Sequence, residues 1–361
     1  MTPPPLFSPI ALRALTLDSR IVVAPMCQYS AHEGVAGTWH RIHVPNLAMS
    51  GAGLVFLEAT AVRADGRISV GCLGLYDDAQ ERALAEVLSL ARAHGQAKLG
   101  IQLAHAGRKG SCDLGWKGGA QLPLDGGGWP TVAPSANTFN ASDRMPSALD
   151  ERGLTELKRA FAAAAERAVR LGFDVVELHC AHGYLLHEFL SPITNQRADD
   201  YGGTLANRMR FPLEVFEAMR TAMPADGPLG VRISATDWVE GGWDIEQSVA
   251  LASELKARGC DFIDVSSGGL SPAQQLAPKP GFQVPFAARI KREARIPTVA
   301  VGLITDPLHA NHIVAEGEAD FVALARGMLW NPRWGWHAAE KLGMKVKAPP
   351  QVLRGSSTLM M

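Results

Sequence analysis

Eight short runs of apolar, largely β-branched residues punctuate the chain. They are Ile21–Pro25 (IVVAP), Leu54–Glu58 (LVFLE), Leu99–Leu103 (LGIQL), Asp174–His179 (DVVELH), Gly230–Ser234 (GVRIS), Phe262–Ser266 (FIDVS), Thr298–Val301 (TVAV) and Phe321–Ala325 (FVALA). The runs are continuous rather than alternating, as expected of parallel strands covered on both faces. Between most of them apolar residues recur at i, i+3 and i+4. This spacing predicts helices over Ala79–Ala93, Thr155–Leu171, Asn207–Met223 and Ile245–Arg258, the last three stopped by Gly172, Pro224 and Gly259. Strand–helix alternation carried through eight strands predicts the α/β class and a (β/α)8 TIM barrel. A doubly wound open sheet would want a glycine-rich turn after its first strand, and Pro25-Met26-Cys27-Gln28-Tyr29 is not one.

One connection breaks the rhythm. Between the third strand and the next helix the chain runs from His105 to about Asp150, glycine-rich over 110–128. A loop of that length inside a compact domain is commonly a functional lid, although a tolerated surface insertion fits too. On a barrel it would cap the C-terminal face, where active sites form. No repeat or second boundary interrupts the chain. The expectation is therefore one barrel domain over 1–361, with a capping loop at 105–150 and a C-terminal tail at 345–361.

Composition narrows the function classes. The formal charge of −1 offers no basic excess for nucleic acid or an acidic membrane. No apolar stretch reaches the ~18 residues of a transmembrane helix. The Pro-rich start MTPPPLFSPI lacks a signal peptide's basic region, and the five cysteines form no CxxC, so the cytoplasm is the expected compartment.

On a barrel, polar residues at the C-terminal strand ends are the candidates for chemistry. In order they are Cys27, Tyr29, Glu58, Gln102, His105, His179, His182, Tyr184, Arg232, Ser266, Ser267, Gly302 and Arg326. His179 and His182 invite a zinc reading, but no HExxH or diagnostic carboxylate accompanies them, and no metal is expected. Cys27 shows no base in sequence, and no G-x-S-x-G elbow exists. Gly302 and Arg326, after strands 7 and 8, suit a phosphate, since that is where barrels often bind one; a surface ion pair is the plainer account of Arg326.

Longer motifs carry a resemblance. RIVVAPMCQYS, IQLAHAGRKG, ELHCAHGYLLHEFLSPITNQRADDYGGTLANRMRF, VRISATDW and AVGLITD resemble the Old Yellow Enzyme family of FMN-dependent ene-reductases. PMCQYS marks its thermophilic-like bacterial branch, which includes xenobiotic reductases. The resemblance runs from about Leu6 to the C-terminus and implies a (β/α)8 barrel holding FMN noncovalently. It implies that Ala24, Pro25, Met26 and Cys27 line the flavin and that Ala59 and Gln102 pack on or hydrogen-bond its rings. Arg232 matches the arginine at the N1/C2=O edge, and Gly302, Ala325 and Arg326 match phosphate positions. Ala325 departs from the usual glycine and needs φ < 0 to be comfortable. His179 and His182 match the pair that grips the substrate's activating oxygen, Tyr184 the proton donor, Tyr29 a substrate-facing phenol, and Cys27 a modulator of the flavin.

The implied activity is an NAD(P)H-dependent ene-reductase. NADPH or NADH reduces the flavin, hydride goes to the β-carbon of an activated alkene (enone, enal, maleimide or nitroalkene), and Tyr184 protonates the α-carbon. A flavin-binding redox sensor without turnover, or an FMN barrel dehydrogenase of another reaction, are the alternatives. In this branch an arginine matching Arg354, within APPQVLRGS, reaches into a neighbour's site, which implies a homodimer or a tetramer built from dimers. Val352 and Ser356 replace aromatics often seen beside it.

Overall fold

The structure is a computed structural model that describes residues 3–361. All eight apolar runs become strands: β1 Ile21–Val23, β2 Leu54–Ala61, β3 Lys98–Ala104, β4 Val175–Cys180, β5 Leu229–Ser234, β6 Ile263–Ser266, β7 Thr298–Val301 and β8 Phe321–Leu324. Each pairs in parallel with the next, and β8 pairs with β1, closing the barrel. Boundaries move by one to three residues. β1 and β8 end short of Pro25 and Ala325, whereas β2 runs three residues past Glu58, with a register shift between Leu57 and Ala59.

A helix follows every strand: α1 Thr38–Ala48, α2 Asp78–His94, α3 Glu151–Leu171, α4 Leu205–Ala222, α5 Ile245–Ala257, α6 Val284–Ala294, α7 Pro307–Ala315 and α8 Trp334–Lys341. The periodicity predicts α2 to α5. It is silent on the other four because they are short or interrupted: α1 carries Pro45 inside it, and α7 spans nine residues. There the packing surface, rather than local pattern, stabilises the helix.

The core has two layers. Outward-facing strand residues such as Val23, Val55, Ile101, Val176 and Ile233 pack under the helices. The barrel's interior holds a separate cluster of Val22, Phe56, Val175, Phe262, Val299 and Phe321, plugged at the bottom by Leu12 and Leu17. Those two belong to a hairpin, Ile10–Leu12 with Leu15–Leu17, that closes the N-terminal end. Gly230 is required inside: a Cβ there would stand 2.1 Å from the Phe262 ring. Burying each phenylalanine contributes roughly 2–3 kcal/mol. Above this apolar plug the interior turns polar. The insertion between β3 and α3 folds as single 3-10 turns and one short pairing, Val132–Ala133 with Ser147–Ala148.

Candidate active site

Alternation along the strands aims Gln102, Glu177, His179, Arg232 and Asp264 into the upper barrel. Neighbouring strands set Gln102 beside Glu177, and Arg232 between His179 and Asp264. Gln102 Nε2 donates to Glu177 Oε1 at 2.7 Å, and Arg232 Nε lies 3.3 Å from Asp264 Oδ2. Burial pushes the Glu177 carboxyl up to about 8, with Asp264 adding to the rise and Arg232 opposing it. Arg232 Nε, Glu177 Oε2 and His179 Nδ1 are buried without a hydrogen-bond partner.

The turn after β4 builds the next layer. His182 (φ 60°) and Gly183 (φ 72°) are both left-handed, so the chain reverses tightly and returns Tyr184 beside His179. Side chains hold this strained pair from behind. His182 N donates to Ser234 Oγ (2.9 Å) and Gly183 N to His187 Nδ1 (2.9 Å). His187 Nε2 in turn lies 2.9 Å from Asp237 Oδ1 in a fully buried pair, and Asp237 Oδ2 accepts from Ser191 Oγ and Trp243 N. The His179 ring centre therefore stands 5.1 Å from that of His182 and 5.2 Å from that of Tyr184. Burial holds both imidazoles well below their usual range and the Tyr184 phenol well above its own, so the imidazoles are neutral and the phenol keeps its proton. The two histidines are not equivalent, because His182 Nε2 already meets Ser266 Oγ at 2.7 Å.

The loop after β1 supplies a third wall. Glu58 accepts from Gln28 N and meets His40 Nε2, both at 3.0 Å, and so fixes the segment carrying Cys27 and Tyr29. Contact with Cys72 and burial push the Cys27 thiol well up, which keeps it unionised. Tyr29 meets the insertion's Trp116 edge-on at 5.9 Å. Ala24, Pro25 and Met26 precede it on the same wall, and Ala59 sits beside Gln102 in the β2–β3 register.

Opposite lies a cleft of about 250 Å³ lined by Arg232, Ser266, Gln283, Gly302, Ala325 and Arg326. Gly302 has φ 134°, and a Cβ on it would press within 3.2 Å of Phe282 and Gln283, so only glycine leaves this wall open. Ala325 has φ −104°, which an alanine adopts without left-handed strain. Arg326 is exposed and, among the described residues, has no hydrogen-bond or ion-pair partner, against the plainer expectation of a surface ion pair. With Arg232 at one end and Arg326 at the other, the cleft fits a group with a polar ring edge and a phosphate. FMN is such a group.

Arg354 stands apart. It is exposed, in the 3-10 segment Pro350–Gly355, and the strands flanking that segment, Val346–Lys347 and Leu359–Met360, pair with each other. They lie over the N-terminal strand ends, with Lys347 on Asp18, at the far end of the barrel from the histidines. Sequence reasoning missed Lys109. Its signal was position, two residues into the insertion's first turn, in IQLAHAGRKG.

Among the described residues no group of three His, Cys, Asp or Glu is arranged to hold a metal ion, and no helix is long and apolar enough to cross a membrane. A profile described as the NADH:flavin oxidoreductase / NADH oxidase family matches residues 5–344. An NADPH dehydrogenase of Geobacillus sp. (strain WCH70) is 46% identical over 352 residues, covering 97% of this chain and 98% of that protein. The structure of morphinone reductase superposes with a TM-score of 0.79 at 27% identity, covering 100% of this chain and 94% of its own. An Old Yellow Enzyme homologue from Zymomonas mobilis superposes at 0.77 with 25% identity, over 93% of this chain and 92% of that one.

Proposed function

This chain belongs to the NADH:flavin oxidoreductase / NADH oxidase family, as an FMN enzyme of the Old Yellow Enzyme type that oxidises NAD(P)H, and from that premise we propose that it is an ene-reductase of activated alkenes. FMN, when bound, would supply the hydride chemistry that links NAD(P)H oxidation to reduction of an electrophilic carbon. Arg232 and Gln102 would hold the polar edge of its rings, and Gly302, Ala325 and Arg326 its phosphate, with residues 24–27 and Ala59 against the ring system.

This chain's own residues do the rest. His179 and His182, each neutral, donate ring N–H bonds to a carbonyl or nitro oxygen and stabilise the charge that develops there. Tyr184 gives its phenolic proton to the α-carbon; burial keeps that proton in place until a strongly basic carbon forms beside it. Tyr29 would face the substrate, and Cys27 would border the flavin as an unionised thiol. One pocket serves nicotinamide and alkene in turn, which makes the kinetics ping-pong. Arg354, too far from its own histidines, acts in the pocket of a second subunit. The observation that supports the reading best is the buried, unpartnered His179 Nδ1 beside the Tyr184 phenol.

The test is colour. Anaerobic NADPH should bleach the yellow enzyme, and cyclohexenone or a nitroalkene should restore it. His179→Ala should keep its flavin and slow alkene turnover roughly hundredfold, the usual cost of one oxyanion donor. Tyr184→Phe should slow the alkene half-reaction on the order of 100-fold while sparing flavin reduction. Nitroalkenes should suffer less, since a nitronate can be protonated in water. Bleaching that no activated alkene reverses would overturn the proposal in favour of a sensor or another dehydrogenase.

A further inference from the structure

Lys109 is a cation without a carboxylate. Among the described residues it forms no ion pair. Its Nζ donates instead to two backbone carbonyls, that of His182 at 2.9 Å and that of Gly269 at 2.8 Å. Its ammonium also stands 5.1 Å from the Tyr184 ring centre and 4.5 Å from that of Phe139. Burial pulls its pKa down to about 8; Glu188 and Cys112 oppose that shift, and Arg108 adds to it. Lys109 is only half-buried, yet its ammonium turns onto protein carbonyls and rings, a partial desolvation whose cost surface lysines avoid by reaching water.

The two carbonyls explain what the cost supports. They belong to the loops after β4 and β6, which touch backbone to backbone. A Cβ at Gly269 (φ 89°) would come within 2.7 Å of His182 Cα, and one at Gly183 would come within 2.3 Å of Gly269 O. No side chain fits between these loops, and among the described residues neither carbonyl accepts from any donor but Lys109. Lys109, entering from the capping insertion, supplies donors to both.

We propose that Lys109 is a positioning residue for alkene reduction: by tying the His182 and Gly269 carbonyls together it sets where the His182 ring and the Tyr184 phenol stand, and it presents its charge to the phenolate left when Tyr184 yields its proton. The proton balance is simple. The Tyr184 O–H bond breaks, a C–H bond forms at the α-carbon, and the phenolate later takes a proton from water. A cation against the ring face favours that anionic stage. This inference rests on the proton-donor reading of Tyr184, and it predicts something that reading does not. A change confined to the insertion should disable one half-reaction selectively.

The experiment compares Lys109→Met and Lys109→Gln with the parent, all flavin-loaded, in anaerobic stopped flow and in titration with 4-hydroxybenzaldehyde. Lys109→Met should slow the alkene half-reaction at saturating cyclohexenone by about tenfold or more. It should weaken, to a similar degree, the long-wavelength charge-transfer band expected of a phenolate bound against oxidised flavin, and change the limiting rate of reduction by NADPH less than threefold. Lys109→Gln keeps amide N–H donors and should recover part of both losses. A lysine serving only stability would lower the melting temperature and flavin content and leave these readouts unmoved. Alkene rate and phenol affinity within twofold of the parent, or equal loss in both half-reactions, overturns the proposal. If the parent reduces no alkene, the function proposal fails, and phenol affinity in the variants still decides the placement of Lys109. If Lys109→Met yields no folded protein, Lys109→Gln is held to the same criteria.

Discussion

Glu188 is fully buried. It accepts the Arg108 N–H on Oε1 at 3.0 Å, and burial pushes its carboxyl up to about 8 against the pull of Arg108 and Lys109. Gly107 beside it (φ 59°) has no alternative, because a Cβ would stand 2.1 Å from Glu188 Oε1. A carboxyl whose folded pKa lies above its unfolded value near 4.5 stabilises fully below that value. Its contribution is lost as pH rises towards 8, since the unfolded chain gives up the proton first. Glu177 adds a contribution of the same sign. Glu188→Gln should therefore flatten part of the decline in melting temperature between about pH 5 and 8. An unchanged slope would mean that Glu188 is ionised in the folded protein.

At the level of elements, α3 is bounded by its own sequence. Asp150 Oδ1 accepts from Gly153 N at 2.7 Å, and Gly172 ends the helix at φ 79° with its N–H on the carbonyls of Ala168 and Val169. Asp150→Ala should cost about 1 kcal/mol, the usual worth of an N-cap. That corresponds to roughly 2 °C in Tm, read by calorimetry, with flavin content and alkene rate kept. A larger loss would mean that Asp150 also anchors the insertion that ends there. The helices that periodicity did not disclose, α1 and α6 to α8, are short or interrupted, even where an end is capped locally, as Asp306 caps α7 through Leu308 N. The 105–150 insertion was readable from its length and its glycines. That it delivers Lys109 beneath the His182 turn was not, because nothing local links a lysine to carbonyls 73 and 160 residues away.

For the whole molecule, the placement of Arg354 decides what its proposed role requires. Its tail lies at the barrel's N-terminal end, away from its own subunit's histidines, so the proposed role requires a second subunit. The outer surface also exposes Trp39, Ile42, Leu329 and Trp330, the last almost completely. Exposed apolar side chains that gather in one patch commonly mark an interface. Light scattering at assay concentration should give a dimer or a tetramer. Arg354→Ala should raise the KM for alkenes several-fold and leave the subunits yellow. Mixed with His179→Ala, it should regain activity, because hybrid dimers form one intact composite site. A fully active monomer would end this account.

The eight strands, the barrel, the insertion's boundaries and the cofactor class were set by residues close together in sequence. Apolar runs bury themselves whatever surrounds them, and motifs such as HCAHGY keep their spacing through local backbone geometry. Tertiary structure alone decided the electrostatics. Glu177 and Glu188 are carboxyls that keep protons only because neighbouring strands and the cap shut water out, and desolvation is a property of the enclosing fold. The same holds for the inequivalence of His179 and His182: it comes from Ser266, 84 residues away, brought within 2.7 Å by closure of the barrel.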